Sequence, residues 1–152
     1  MAIERTLVLI KPDGAKRKLT GLVIDRLDAA GLTMVGAKVT TVTEELAREH
    51  YKELKDKPFF EDLIKYIRGK YHDIPNSRIL ALVYEGEDAV KLTRKVAGAT
   101  HPEDAEPHTL RGSFGRVSRA DQIENVLHAS GTLPEAQREI DLWFAKEEVP
   151  AA

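Results

Sequence analysis

Ile79-Leu80-Ala81-Leu82-Val83-Tyr84 is the most apolar run in the chain, and it decides the fold. Turn-forming residues bound this run, with Pro75-Asn76 before it and Gly86 after it. A short, continuous apolar run between turn signals is typical of a central strand of a sheet. We therefore predict a central strand at residues 79–84.

Three further segments carry strand patterns. Thr6-Leu7-Val8-Leu9-Ile10 predicts a buried strand with Lys11 at its carboxyl edge, ended by an ordinary turn at Pro12-Asp13-Gly14. Between residues 35 and 40, apolar residues alternate with small or polar ones, which is the period of a strand with one solvated face or at an edge. Residues 123–128 predict the last strand, although their spacing would also permit a helical turn.

Helical spacing and capping residues predict five helices. They lie at residues 20–30, closed by Gly31; at 43–54, capped by Thr43; over Phe60, Leu63, Ile64 and Ile67 after Pro58; around Leu92, Thr93 and Val96 up to Gly98; and after Thr132, which forms a capping-box pattern with Glu135. Residues 99–119 show no such pattern. A long irregular connection is expected there, and loops of that length are usually functional or disordered.

The order of these elements is β-α-β-α-α-β-α-loop-β-α. Helices that cover one face of a largely antiparallel sheet are the simplest way to bury this pattern. We predict an α+β fold, a ferredoxin-like sandwich with a four-stranded antiparallel sheet covered by helices. The 152 residues, 42% of them hydrophobic, suit one compact domain over residues 1–152, in which residues 146–152 form a short tail.

The charge balance gives no general attraction to nucleic acid or to an anionic membrane, because 23 basic and 25 acidic residues leave a formal net charge of -2. An anionic ligand must therefore be held by local groups. The first residues lack a secretory pattern, and no apolar run approaches the roughly 20 residues of a membrane span. We expect a cytoplasmic location, with which the absence of cysteine is compatible.

Several residue types and motifs that are missing argue against a thiol, a Walker-type phosphate site and a zinc centre. The chain has no cysteine, no Gly-x-x-x-x-Gly-Lys-Ser/Thr phosphate loop and no paired His-Glu metal pattern. His128 is the best candidate for a reacting group, because it ends an apolar strand near Ser130 and precedes a helix that carries Glu139. A carboxylate or hydroxyl that holds one ring nitrogen fixes the tautomer and leaves the other nitrogen free as a nucleophile. The other four histidines are interpreted as structural or exposed.

Cationic and aromatic side chains offer a binding site if the fold brings them together. Lys11, Arg94, and Arg111 with Thr109 could hold phosphate oxygens, although solvated surface charges are the alternative interpretation. Phe59 lies off the helical stripe to which Phe60 belongs. Its ring is either partly exposed by chance or a stacking surface for a base.

Five segments together resemble the nucleoside diphosphate kinase family, over about residues 4–145 and in the same order. They are Glu4-Arg5-Thr6 to Gly14; His50-Tyr51-x-x-Leu54-Lys55-Asp56-Lys57-Pro58-Phe59-Phe60; Thr109-Leu110-Arg111-Gly112; Asn125-x-x-His128-x-Ser130; and Glu139-Ile140-x-Leu142-Trp143-Phe144.

The resemblance implies transfer of the terminal phosphate of a nucleoside triphosphate to a nucleoside diphosphate, in two ping-pong steps through a phosphohistidine on His128. It implies that Lys11 and Asn125 contact the sugar hydroxyls and nearby phosphate oxygens, and that Arg94, Thr100 and Arg111 hold the phosphates. Phe59 and Leu63 would line the base. Tyr51 would help to position the imidazole and the transferred group, and Ser130 with Glu139 would support His128. It also implies Mg²⁺ held mainly by the nucleotide and water rather than by protein ligands. Stacking on Phe59 would accept any base.

The chain departs from the family pattern at several places. Gly131 replaces a usual aspartate, so a local hydrogen bond or loop anchor is expected to be missing. Gln122 stands where an apolar residue commonly packs on the base, and extra residues lie around 69–77 and 115–124. His108 replaces a common glycine in a loop that helps to join subunits. A homo-oligomer is expected, with hexamer, tetramer and dimer all open.

Two other classes of function compete with this enzyme. A nucleotide-binding or scaffold protein of the same fold with weakened turnover is suggested by Gly131, Gln122 and the altered loops. Nucleic-acid binding would use the stacking phenylalanine, but the composition lacks a basic face.

Overall fold

The computed structural model describes residues 2–151, so Met1 and Ala152, the two ends of the predicted domain, lie outside the described residues. Its main sheet is built from β1 (Ile3–Ile10), β2 (Thr33–Thr41), β3 (Arg78–Glu87) and β6 (Leu127–Ala129). The strands lie in the order β2-β3-β1-β6, and all neighbours are antiparallel. A separate hairpin pairs β4 (Arg116–Val117) with β5 (Ile123–Glu124).

Seven α-helices connect or cover these strands in the described part of the chain. They are α1 (Pro12–Lys16), α2 (Thr20–Ala29), α3 (Glu44–His50), α4 (Phe60–Ile67), α5 (Ala89–Ala97), α6 (Leu110–Phe114) and α7 (Leu133–Trp143). Short 3-10 turns lie at Lys52–Leu54, Pro75–Ser77, Pro102–Asp104 and Lys146–Glu148. None of the helices in residues 2–151 has the length and apolar character needed to cross a membrane.

The predicted central strand is confirmed, because β3 lies between β2 and β1. Its register with β1 places Leu7 opposite Val83 and Leu9 opposite Ala81, and all four side chains are buried. β2 lies at the sheet edge, as its alternating pattern indicated. The α+β class and the four-stranded antiparallel sheet are therefore as predicted.

Helices cover both faces of the sheet, so the expectation of a single covered face is wrong. Leu7 and Leu9 pack in one core with residues of α3, α4 and α7, whereas Val8 and Ile10 pack in a second core with residues of α2, α5 and α6. The reason lies in β1 itself. Successive side chains of a strand point to opposite faces, and here both sets are apolar, so each face needs its own cover.

Residues 123–128 do not form one continuous strand, which corrects the prediction for this segment. Glu124 ends β5, Leu127 begins β6, and Val126 between them has φ of 72°. A β-branched residue rarely adopts this conformation. The first turn of the chain holds it there, because the Val126 amide donates to Asp13 Oδ2 at 3.0 Å and its carbonyl accepts from the Lys11 amide at 2.9 Å.

Two connections are more regular than predicted. Pro12-Asp13-Gly14 is not an ordinary turn but the start of α1. Proline lacks an amide N–H, but in the first turn of a helix this N–H would have no hydrogen-bond partner within the helix. Residues 99–119 are not wholly irregular, since they contain a 3-10 turn, α6 and β4. Thr109 caps α6, where its Oγ1 accepts from the Gly112 amide at 3.0 Å. Short helices of this kind lack the long apolar period on which sequence analysis depends.

The predicted tail packs on the rest of the molecule. Val149 lies against the core on the α3, α4 and α7 side of the sheet. The Glu148 carboxylate binds Lys38 of β2 at 2.9 Å and also accepts from the Ala145 amide at 2.8 Å.

Candidate active site

The predicted site residues meet at one cleft with a volume of about 670 Å³, a size typical of small-molecule sites. Those that line the cleft are Lys11, Tyr51, Phe59, Leu63, Arg94, Thr100, Arg111, Asn125, His128 and Glu139. Ser130 is fully buried behind Glu139. Thr109 is absent from this lining, because it serves as the helix cap of α6.

Strand pairing sets the position of His128. It lies opposite Leu9 in the β1–β6 pair, so its side chain shares a face with Leu9 and points toward the α7 side of the sheet. Glu139 of α7 meets it there, with Nε2 of His128 and Oε1 of Glu139 separated by 2.8 Å. The Ser130 hydroxyl donates to the same carboxylate oxygen at 2.7 Å. The Ser130 hydroxyl thus holds the Glu139 carboxylate, and the carboxylate holds the imidazole.

This arrangement suits a nucleophilic imidazole. A carboxylate accepts hydrogen bonds, so Glu139 favours the tautomer with the proton on Nε2 and leaves the lone pair on Nδ1. Burial lowers the pKa of His128 below its ordinary value, and the charges of Lys11 and Arg111 act in the same direction, against the opposing effect of Glu139. The ring is therefore neutral at pH 7, as a nitrogen nucleophile must be.

His50 packs directly against His128, a contact that the sequence interpretation missed. The two rings meet edge to face with centroids 4.6 Å apart, and Trp143 Nε1 donates to His50 Nδ1 at 3.0 Å. Burial lowers the pKa of His50 well below its ordinary value, and neighbouring His128 lowers it further. A neutral, fixed ring therefore supports one side of the candidate nucleophile. The sequence did contain one sign that His50 lies near the site, because it ends α3 directly beside Tyr51 of the matching segment.

Lys11 brings a buried cation to the cleft. Its Nζ donates to Asn125 Oδ1 at 2.8 Å, and Asn125 Nδ2 donates to the Thr100 carbonyl at 2.9 Å. Burial, and then the charge of Arg111, lower the pKa of Lys11 to about 7, although nearby Asp13 opposes both effects. The ammonium is thus poorly compensated until an anion binds beside it.

The two arginines differ in how firmly they are held. Arg111 is 4% exposed and donates to the carbonyls of Asn125, Gly98 and Leu127 at 3.2, 3.0 and 2.8 Å. Burial, and then the charge of Arg94, lower its pKa to about 10. Arg94 is half-buried and, within residues 2–151, has only a long contact of 3.4 Å to the Ala129 carbonyl, so its guanidinium keeps more of its donors for a ligand.

Tyr51 presents a hydroxyl to the same region. Among the described residues this buried oxygen has no hydrogen-bond partner. Burial raises the pKa of Tyr51, and the Glu139 carboxylate raises it further, so the phenol stays protonated. A buried hydroxyl without a partner is expected to bond to a ligand or to water.

The apolar part of the cleft is formed by two separate segments. Phe59, which is 50% exposed, and Leu63 come from the start of α4, and Gln122 and Ile123 come from the β4–β5 hairpin. Ile123 is 37% exposed and supplies an apolar side chain next to Gln122. An exposed aromatic ring beside aliphatic groups is suited to stacking on a flat ligand.

The metal-ligating side chains of the cleft do not form an oxygen-rich magnesium site. Within residues 2–151, the group of close metal-ligating side chains consists of His50, His128 and Glu139, whose donor atoms lie within 4.8 Å of one another. Mg²⁺ prefers oxygen ligands, and here two donors are nitrogen while Glu139 is bonded to His128. The cationic side chains around them instead fit an anionic ligand such as a phosphate group.

A family model and individual relatives of known name all match this chain over almost its whole length. The family model described as nucleoside diphosphate kinase matches residues 4–149. A nucleoside diphosphate kinase from Pyrococcus furiosus is 47% identical over 147 residues, which are 97% of this chain and 86% of that protein. One from Trichodesmium erythraeum is 44% identical over 147 residues, which are 97% of this chain and 91% of that protein.

Solved structures agree with this result. The Halobacterium salinarum nucleoside diphosphate kinase in complex with CDP has a TM-score of 0.85 at 40% identity, over 99% of this chain and 93% of that one. The Borrelia burgdorferi nucleoside-diphosphate kinase with bound vanadate and ADP, a transition-state mimic, has a TM-score of 0.85 at 36% identity, over 99% and 92% of the two chains.

The fold, the cleft and these relatives define an enzyme of the phosphotransferase class that acts on nucleotides. The chain belongs to the nucleoside diphosphate kinase family.

Proposed function

We propose that the protein transfers the γ-phosphate of a nucleoside triphosphate to a nucleoside diphosphate through a phosphohistidine on His128. The observation that carries this proposal is the bond between His128 Nε2 and Glu139, which leaves Nδ1 as the attacking nitrogen in a cleft lined by Lys11, Arg94 and Arg111. The relative with bound vanadate and ADP, described as a transition-state mimic, supports phosphoryl transfer as the chemistry.

The reaction has two half-steps. In the first, the Nδ1 lone pair of His128 attacks the γ-phosphorus, the bond to the β,γ-bridging oxygen breaks, and the diphosphate leaves with that electron pair. The ring then carries positive charge, which the Glu139 carboxylate counters through the Nε2 proton. In the second, a β-phosphate oxygen of another nucleoside diphosphate attacks the phosphohistidine and frees Nδ1. Ping-pong kinetics follow from this sequence.

The cationic side chains act by positioning the phosphates and neutralising charge, which is the main need of phosphoryl transfer. We assign Arg94, Thr100 and Arg111 to the phosphates, and Lys11 with Asn125 to the sugar hydroxyls and nearby phosphate oxygens. The unpartnered hydroxyl of Tyr51 supports a role beside the imidazole and the transferred group.

The base is assigned to the apolar part of the cleft, at Phe59 and Leu63. Stacking on an aromatic ring accepts every base, because each base has a π face. We therefore propose broad specificity for nucleoside di- and triphosphates.

Mg²⁺ is proposed to enter with the nucleotide and to be held mainly by phosphate oxygens and water. When bound, it neutralises negative charge on the phosphates. The donor set of His50, His128 and Glu139 supports this assignment, because it offers no cage of oxygen ligands for a resident magnesium ion.

Assembly as a homo-oligomer is also proposed, with a dimer, tetramer or hexamer as the alternatives. The edge strand β2 supports it, because Val39 on that strand is 65% exposed. Light scattering at micromolar concentration tests the proposal, and a monomer at all concentrations would contradict it.

One domain over residues 1–152, with its core at 4–145, remains our proposal for the organisation of the chain. The two cores on either face of a shared sheet support it. Limited proteolysis that releases two stable fragments would contradict it.

Labelling with [γ-³²P]ATP and magnesium tests the function. The protein should acquire an acid-labile, base-stable label that is chased by any nucleoside diphosphate and is lost in His128→Ala. His108→Ala, which changes an exposed histidine, is the matched control and should be labelled normally. Absence of label on folded protein would overturn the proposal, and ADP binding without label would favour a nucleotide-binding protein without turnover.

A further inference from the structure

Residues 69–77, one of the two segments that exceed the family pattern, contact both parts of the apolar cleft lining. Tyr71 Oη donates to Asp62 Oδ1 of α4 at 2.9 Å. His72, the next residue, places Nε2 at 2.8 Å from Oε1 of Glu124, the last residue of β5. The helix that carries Leu63 and the hairpin that carries Ile123 are thus joined through two adjacent side chains.

Glu124 is the centre of this connection and has no part in the proposed chemistry. It is 3% exposed, and its carboxylate also accepts from Arg116 Nε at 3.2 Å and Nη2 at 3.4 Å. Burial opposes its ionisation, but the hydrogen bonds from His72 and Arg116 outweigh burial and lower the pKa of Glu124. A carboxylate buried to this extent is held in place by its partners, so its backbone is held as well.

The chain neighbours of Glu124 face the cleft. Ile123 precedes it and Asn125 follows it, and both line the site. The hairpin turn next to Ile123 is closed by its own hydrogen bonds, since the Ser118 amide donates to the Gln122 carbonyl at 2.8 Å and Ser118 Oγ accepts from the Gln122 amide at 3.2 Å. The hairpin therefore has internal order, and Glu124 is a point at which it is bonded to the rest of the molecule, through His72.

The segment 69–77 is itself a compact structure. The amides of His72 and Ile74 both donate to the Gly69 carbonyl at 3.2 Å, and the His72 ring packs edge-on against Tyr66 of α4 with centroids 5.8 Å apart. Gly69 has φ of 75°, and a side chain there would lie 2.5 Å from Ile74 Cβ. A segment with this local order can transmit the position of α4 to the hairpin.

We propose that residues 69–77 form a strap that fixes the β4–β5 hairpin relative to α4, with His72 and Glu124 as positioning residues for the base of the nucleotide. This inference rests on the proposed function, because it takes the cleft to be a nucleotide site. The strap acts mainly on the nucleoside part of the ligand, because Arg94, Thr100 and Arg111 lie outside both the strap and the hairpin.

Calorimetric binding of ADP and of inorganic tripolyphosphate, each with magnesium, separates the two parts of the ligand. His72→Ala should raise the Kd of ADP roughly tenfold, since a misplaced hairpin loses contact with the base. It should leave the Kd of tripolyphosphate, which has no base, unchanged. His72→Gln, which can still donate to Glu124, should restore most of the ADP affinity. Lys70→Ala, at an exposed residue of the same segment, is the matched control and should bind both ligands normally.

Two results would overturn the strap. One is an equal ADP affinity for His72→Ala and Lys70→Ala, and the other is an equal loss of affinity for ADP and tripolyphosphate, which would indicate general damage. If His72→Ala does not fold, Arg116→Ala makes the same test from the exposed side of Glu124, with a smaller increase in the Kd of ADP expected. The labelling experiment distinguishes failure of the proposed function, because an unlabelled protein whose ADP affinity depends on His72 would keep the strap and lose the kinase mechanism.

Discussion

His128 Nε2 and Glu139 Oε1 lie 2.8 Å apart, a contact that joins the edge strand β6 to the last helix, α7. Burial opposes ionisation of Glu139, but hydrogen bonds from His128 and Ser130 outweigh burial and lower its pKa. The carboxylate is therefore an anion that accepts from Nε2. It fixes both the direction of the ring and the nitrogen that keeps the lone pair.

Glu139→Gln is expected to lower the rate of His128 phosphorylation about 100-fold, because the amide can donate to Nε2 and so favours the wrong tautomer. Rapid-quench single-turnover labelling measures this rate. Ser130→Ala, which removes a hydrogen bond to Glu139 but leaves its charge, should have the smaller effect. A Glu139→Gln rate equal to that of the unaltered protein would contradict the assigned role.

Acid should destabilise the protein through His50 and His128. The pKa values of both are lowered from the ordinary 6.5, chiefly by burial. The unfolded chain therefore takes up these protons near pH 6.5 and the folded chain only at lower pH, so the free energy of unfolding falls as the pH drops below about 6.5. His50→Gln should make this loss shallower, because one of the two sites is gone and the amide can still accept from Trp143. Urea denaturation from pH 5 to pH 8 checks the slope, and parallel curves for the two proteins would contradict the prediction.

Lys11→Met is expected to stabilise the fold while it weakens ligand binding. Burial first, and then the charge of Arg111, lowers the pKa of Lys11 to about 7, whereas the unfolded chain keeps the ordinary value of 10.5. Between about pH 7 and 10.5 the unfolded chain therefore binds more protons at Lys11 than the folded chain does. The free energy of unfolding thus falls as the pH drops through this range, and the destabilising effect of Lys11 is complete below about pH 7. The variant should gain on the order of 1 kcal/mol in unfolding free energy at pH 6. It should also lose at least roughly tenfold in ADP affinity. Equal stability of the two proteins at pH 6 would contradict the argument.

The sequence predicted the parts of this molecule that depend on local pattern. The apolar runs at 79–84 and 6–10 are the two central strands, and the spacing from His128 to the helix of Glu139 was enough to suggest their contact. Where the pattern failed, distant groups decide the backbone. Val126 takes its positive φ because Asp13 and Lys11, more than a hundred residues earlier, hold its amide and carbonyl.

The position of His50 beside Tyr51 indicated that it lies near the site, but its direct contact with the His128 ring could not be predicted, for the same reason. It depends on the packing of α3 against α7, where Trp143 orients the ring, and no spacing within the sequence encodes that meeting. The second covered face of the sheet, in contrast, was readable in β1, whose side chains are apolar at both odd and even positions.

Gly14→Ala should weaken the connection between the first turn and the Val126 loop. A Cβ at Gly14 would lie 2.6 Å from the Val126 carbonyl oxygen, and neither backbone can yield easily. We expect a loss of about 1–3 kcal/mol in unfolding free energy, together with weaker ADP binding. Gly21→Ala is the matched control, because nothing lies within 4 Å of the new methyl group on α2. That variant should be stabilised by about 0.5–1 kcal/mol, and equal behaviour of the two alanine variants in urea denaturation would contradict the clash.

Gly131→Asp, which restores the usual family residue, should not stabilise this chain unless Glu135 is changed as well. A Cβ at Gly131 would lie 2.4 Å from Glu135 Oε2, so the carboxylate of α7 already occupies the space of the missing side chain. In the single variant two like charges compete for one position, and we expect a loss of about 0.5–1 kcal/mol. In the background of Glu135→Ala the same aspartate should be neutral or stabilising. The double-mutant cycle measures this coupling, and additive effects would show that Glu135 does not stand in for the aspartate.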